Sequence, residues 1–187
     1  MSRLGIYASA NYPRVTNSYE SIATVTVGAG GTSAITFSSI PSTYKHLQIR
    51  GIGRTTNPGT LGNPEIKFNG DTGATNYTLH ILYADGSSVG SYGGGSGSGS
   101  DASITTGSSA GANIFGAAII DVLDYASTNK YKTVRSLTGA DMNGSGTIRL
   151  YSNLWMDTSA ISSITLRPTS SASYSQYSQL ALYGIKG

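Results

Sequence analysis

The chain has 187 residues, no cysteine, 25 glycines and 13 tyrosines, and only 11% of it is charged, against about a quarter in an average soluble protein. Twelve Lys and Arg against nine Asp and Glu leave a formal charge of +3, spread too thinly to form the basic stripe that tracks a phosphate backbone. Disulfides and Cys-based metal sites are excluded, and no apolar run approaches the ~20 residues that a helical membrane span needs.

A low charge combined with 38% hydrophobic residues does not fit the disordered class, which joins low hydrophobicity to high net charge. Tyr, Ile and Val suit pleated strands, Gly suits the turns between them, and the helix formers Glu and Lys are scarce. No basic-then-apolar leader opens the sequence, so the protein is expected to be soluble and made in a cytoplasm.

Residues 1–18 carry Leu4, Ile6, Tyr7, Tyr12 and Val15 without a period of 2 or 3.6. Such a segment suits a loose terminus or an extended arm that orders against a neighbour, and an arm is expected. From Glu20 the strand signals are strong. Ala23, Val25 and Val27 alternate with Thr24 and Thr26, Gly28–Gly31 turns, and Ala34–Phe37 returns, a pattern that predicts a hairpin. Leu47, Ile49 and Gly51 share one strand face, with His46, Gln48 and Arg50 on the other. Glu65–Phe68 ends at the turn Asn69-Gly70, and Tyr77–Tyr83 is closed by Asp85-Gly86.

Residues 86–111 are low in complexity and predict a Gly/Ser-rich surface loop inside one domain spanning 19–187. Asn113–Asp124 fits helix or strand, and its β-branched residues favour strand. Tyr131–Leu137, Thr147–Trp155, Ile161–Arg167 and Gln179–Ile185 follow. In the second of these Ile148 and Leu150 alternate while Leu154 and Trp155 are adjacent, which predicts a bulge near Ser152-Asn153. Nine or ten strands with frequent turns predict an all-β antiparallel sandwich, jelly-roll-like, behind a short N-terminal arm.

Residues suited to chemistry are few. His46 and His80 fall on outward strand positions, and two histidines without Cys do not make a zinc site. Gly107-Ser108-Ser109-Ala110-Gly111 and Gly86-Ser87-Ser88-Val89-Gly90 match the nucleophile-elbow pattern, but no His follows position 80 to serve as base. Asn69, Asp71 and Asp85 sit in turns of the kind that ligate calcium; ordinary hairpin turns use the same residues. Asp121 and Asp124, three apart on a strand, point to opposite faces and do not form an acid/base pair. No catalytic residue, cofactor or metal is expected. Ten tyrosines near strand ends and loops suit either capping of the core or an adaptable contact surface for protein or carbohydrate.

The stretches YESIATVTVGAGGTSAITFSSIPSTYKHLQIRGIGRT, IDVLDYASTNKYKTVRSLTG and SQLALYGIKG resemble virion proteins of tailed bacteriophages, described as head-decoration, minor tail or tail-fibre components. The likeness runs from about Leu4 onward and is weakest across Gly86–Gly111. It implies a non-enzymatic structural role in the virion and carries no functional residues across. With no coiled-coil, collagen-like or β-helical shaft, the expected place is a head decoration (cement) protein outside the capsid. A tail-fibre or minor tail module that binds the host receptor or surface carbohydrate is the alternative. The expected partners are the major capsid protein or other virion proteins and further copies of the chain, a trimer among the forms; no nucleic acid or membrane partner is expected. Leu4, Ile6 and Tyr7 would be the apolar attachment residues of the arm.

Overall fold

Alternating side chains give each segment one face to bury. A computed structural model, which describes residues 18–97 and 99–187, arranges those residues into fourteen strands without a helix. The first seven are β1 (Tyr19–Thr26), β2 (Ile35–Phe37), β3 (His46–Gly53), β4 (Leu61–Gly62), β5 (Glu65–Phe68), β6 (Tyr77–Ala84) and β7 (Val89–Gly97). Then come β8 (Ser100–Asp101), β9 (Thr105–Thr106), β10 (Gly116–Val122), β11 (Lys132–Asp141), β12 (Gly146–Trp155), β13 (Ile164–Arg167) and β14 (Gln179–Ile185).

Eight strands form one antiparallel sheet in the order β1-β14-β3-β10-β11-β12-β6-β7; four form a second in the order β2-β13-β5-β8, and β4 pairs with β9. Their inner faces meet in one core, with Phe37, Ile66, Phe68 and Leu166 of the smaller sheet among the same buried cluster as Ile49, Ile120, Val134 and Leu182 of the larger. The expected all-β antiparallel sandwich is the fold, with more strands than counted from sequence and two unequal layers.

Three local expectations differ from what is found. β1 and β2 do not form a hairpin: β1 pairs with β14 and β2 with β13, so Gly28–Gly31 carries the chain from one sheet to the other. β12 has no bulge, because its register with β11 and β6 is unbroken through Ser152 and Asn153. Tyr151, Asn153 and Trp155 point inward, and Ile148 and Leu150 point outward. Apolar residues in both phases of one strand mark two apolar faces, and sequence alone turned them into a slip of register.

The third difference concerns residues 86–111, which are not a surface loop. They supply the edge strand β7 and then run inward, where Ala102, Ser103, Ile104, Thr105 and Thr106 are all buried. Glycine suits the edge because neighbouring side chains lie across it; a Cβ on Gly90 would sit 2.5 Å from the Tyr83 hydroxyl. Serine and threonine enter the interior because their groups find partners. Thr138 Oγ1 accepts from the Ile104 N–H at 2.8 Å and donates to the Ala117 carbonyl at 2.8 Å.

Trp155 ties the layers together. Its indole Nε1–H donates to Asp71 Oδ2 at 2.7 Å, and its ring centroid lies 5.3 Å from that of Phe68 and 6.4 Å from that of Tyr77. The ammonium of buried Lys132 stands 5.8 Å from the same ring and donates to the carbonyls of Lys130 at 3.0 Å and Thr158 at 3.1 Å. Burial pushes the Asp71 carboxyl up, but bonds from Trp155, Asn76 and the Gly73 N–H outweigh it and hold the group below the ordinary carboxylate range.

Trp155→Phe removes one bond to a charged acceptor and is expected to cost about 2 kcal/mol in urea unfolding at pH 7. Because the folded-state pKa of Asp71 is depressed, its contribution is present above the unfolded value of about 4 and is lost as pH falls through the folded one. The urea midpoint of the native sequence should therefore drop below pH ~4, and Asp71→Asn should start lower and drop less over the same range.

Candidate interaction surface

The two sheets turn opposite chemistries to the outside. On the smaller sheet the outward positions are Thr36, Thr165, Lys67, Glu65 and Arg167, joined by a 3.0 Å Thr36–Thr165 hydroxyl bond and a Glu65–Arg167 ion pair. The larger sheet is apolar where that one is charged. Ile119, Leu137, Leu150 and Leu82 stand directly opposite one another across β10, β11, β12 and β6. Their exposures are 41%, 51%, 48% and 53%, so each keeps roughly half of its surface in water.

Two residues further along the strands a second row runs Ile52, Ala117, Gly139, Ile148, Ala84 and Val89. The small residues of this row leave an open groove of about 830 Å³, floored at Gly139 and flanked by Ile119, Leu137 and Ile148. Asp85 and Asp141 stand at one end of the groove. On the other side of the Leu row, polar residues take over: Gln48, Asp121, Arg135, Ser152 and His80 lie in register. Gln48 Nε2 donates to Asp121 Oδ1 at 2.6 Å, and Arg50 Nε donates to Gln48 Oε1 at 2.5 Å.

Behind this face polar side chains are buried beside the apolar core residues Ile120, Val134 and Trp155. Ser136, Thr138 and Asn153 are buried on the inner side of β11 and β12, so over this stretch the sheet has polar groups inside and leucines outside. Contiguous apolar surface rimmed by polar residues is the kind that marks contact sites.

The residues singled out from sequence do not converge. Leu4, Ile6 and Tyr7, with the rest of 1–17, lie outside the described residues. Asp71 and Asp85 lie beyond opposite ends of β6, whose eight residues span about 25 Å, so they cannot share one ion. Both oxygens of Asp71 are already met by Trp155, Asn76 and Gly73, and Asp85 Oδ1 is met by the N–H groups of Ser87 at 3.0 Å and Ser88 at 2.7 Å. Asn69 Oδ1 receives the N–H groups of Ser162 at 2.8 Å and Ser163 at 3.2 Å, pinning its turn to the chain before β13. Among the described residues no three His, Asp or Glu are grouped to hold a metal.

The serines of the elbow-like pattern at 107–111 are also engaged. Ser108 Oγ donates to the Asn57 carbonyl at 3.0 Å and Ser109 Oγ to that of Pro58 at 2.5 Å. Arg54 gathers the same segment, donating to the carbonyls of Gly111 at 2.9 Å, Ile114 at 3.1 Å, Ala110 at 3.0 Å and Ser108 at 3.3 Å. His46 Nδ1 accepts the Asp124 N–H at 2.9 Å, while Lys130 and Lys45 hold the Asp124 carboxyl at about 2. Tyr77, Tyr125, Tyr151 and Tyr174 are buried, with burial pushing the Tyr77 hydroxyl up to about 12; Tyr19, Tyr92, Tyr131 and Tyr177 are exposed on separate elements.

The outward apolar rows were missed from sequence, although a signal existed. Val134 and Leu137 are an odd number apart on one strand, as are Leu150 and Tyr151, so both faces of β11 and β12 carry apolar side chains. Comparison with protein-family models, curated proteins and solved structures finds no match to this chain.

Arg54→Ala should release the 107–114 segment. Amide hydrogen exchange there is expected to rise by at least about tenfold, with a global loss of about 1–3 kcal/mol, while the eight-stranded sheet keeps its protection.

Proposed function

We propose that this chain is a non-enzymatic structural protein of a tailed-bacteriophage virion, a head decoration protein bound to the outside of the capsid. The observation that carries this reading is the apolar outer face of the large sheet, set against the charged outer face of the small one. Such a face is suited to contact with protein, because contiguous apolar surface gains from being covered and offers no directional chemistry to a small substrate. Among the residues suited to covalent or acid/base work, Ser109, Asp71 and His46 are tied into turns and strand links. Resemblance of the framework strands to phage virion proteins supports the same reading, and Leu4, Ile6 and Tyr7 are its proposed attachment residues on the capsid.

Gold-labelled antibody raised against the purified chain tests this on virions of the phage that encodes it. Label around the head is expected. Label confined to the tail would favour the receptor-binding alternative, and unlabelled virions would overturn the virion role. Removing residues 1–18 is expected to abolish head labelling while leaving the sandwich folded.

A further inference from the structure

Building on the reading of the large sheet's outer face as a protein-contact surface, we propose that its partner is a second copy of this chain. In this two-fold dimer β11 of one copy lies antiparallel over β11 of the other. The outward residues of β11 are, in order, Arg135, Leu137, Gly139 and Asp141: a cation, a knob, a gap and a carboxylate. A two-fold axis perpendicular to the strand at the height of Thr138 reverses that order. It sets Arg135 against the second copy's Asp141, and Leu137 over the second copy's Gly139, at both ends at once. Such an interface is isologous and closed.

The flanking strands obey the same operation. Ile119 meets Ala117, Leu82 meets Ala84, and Leu150 meets Ile148, so the row of large side chains falls mainly on the row of small ones. Face-packed sheets sit about 10 Å apart and need side chains of this kind to interdigitate. An axis parallel to the strands would instead put the large row on itself and leave the two grooves facing across a void. The groove over Gly139 is kept open by the sheet itself, since a Cβ there would come within 2.7 Å of the Thr147 carbonyl oxygen.

Size and charge agree with a second copy. The face covers six strands from β3 to β7 and six residue steps along β11, roughly 25 Å by 20 Å. With its protruding side chains this approaches the roughly 800 Å² of accessible surface that each partner contributes to a standard interface. Among the described residues Arg135 has no ion-pair partner in its own chain, and the Asp141 carboxylate receives a bond from the Asn143 N–H at 2.9 Å. Within one chain Arg135 and Asp141 are about 20 Å apart and cannot pair.

Sedimentation equilibrium of the full chain is the test. A dimer is expected, weakened at least ~tenfold by Leu137→Thr with Leu150→Thr, changes at half-exposed strand positions that leave the fold intact. Arg135→Glu and Asp141→Arg should each weaken it several-fold, and the two together should restore it. That restoration arises only between copies in the antiparallel arrangement. A monomer up to ~0.5 mM, a trimer, a dimer indifferent to the leucine changes, or a double reversal no tighter than the single ones would each overturn the proposal. Heads labelled by a chain that stays monomeric would leave the virion reading standing without the dimer; a two-fold dimer absent from virions would do the reverse.

Discussion

Much of the molecule depends on where Trp155 points. Its indole is held by the Asp71 carboxylate and packed against Phe68 and Tyr77, and those contacts exist only if the odd-numbered residues at the end of β12 face inward. Because side chains alternate with a period of 2, that one orientation decides every other residue on the strand. Tyr151 and Asn153 are drawn in, and Ile148 and Leu150 are pushed out. Pairing then transmits the choice through β11 and β10, where Leu137 and Ile119 stand opposite Leu150 in turn.

The result is a sheet that buries a few polar groups among the apolar residues of its own inner face. Ser136 is buried beneath the leucine row, and its hydroxyl has no hydrogen-bond partner among the described residues. An unpaired buried hydroxyl costs about 1–3 kcal/mol, and a half-exposed leucine leaves part of its own transfer free energy unused. Both losses fall on the isolated chain. Covering that surface would recover the second.

Legibility from sequence followed the strength of local rules. The strand at Gln179–Ile185 was read with its observed ends, and the turns at Asn69-Gly70 and Asn143-Gly144 adopt the positive φ values that Asn-Gly favours. Non-local pairing was less visible. Gly28–Gly31 has the residues of a hairpin turn, and only the competition of β14 for β1 shows that it is a crossover. Composition misled most at 86–111: glycine and serine suggest a solvated loop, yet the segment passes under β11, because small hydroxyl side chains fit where partners such as Thr138 await them. The apolar face was hidden for a related reason. A second apolar phase on β12 predicts an irregularity, since one buried face per strand is the ordinary expectation for a sandwich.

The glycine-rich edge strand β7 has a bearing on how large an assembly can grow. A nine-residue edge without charge or proline would ordinarily invite another strand to add to it, and such additions run on without limit. Here the edge is built largely from residues with the greatest freedom to lose on ordering. Strand addition at this edge is thereby disfavoured, while the face of the sheet is left open to contact.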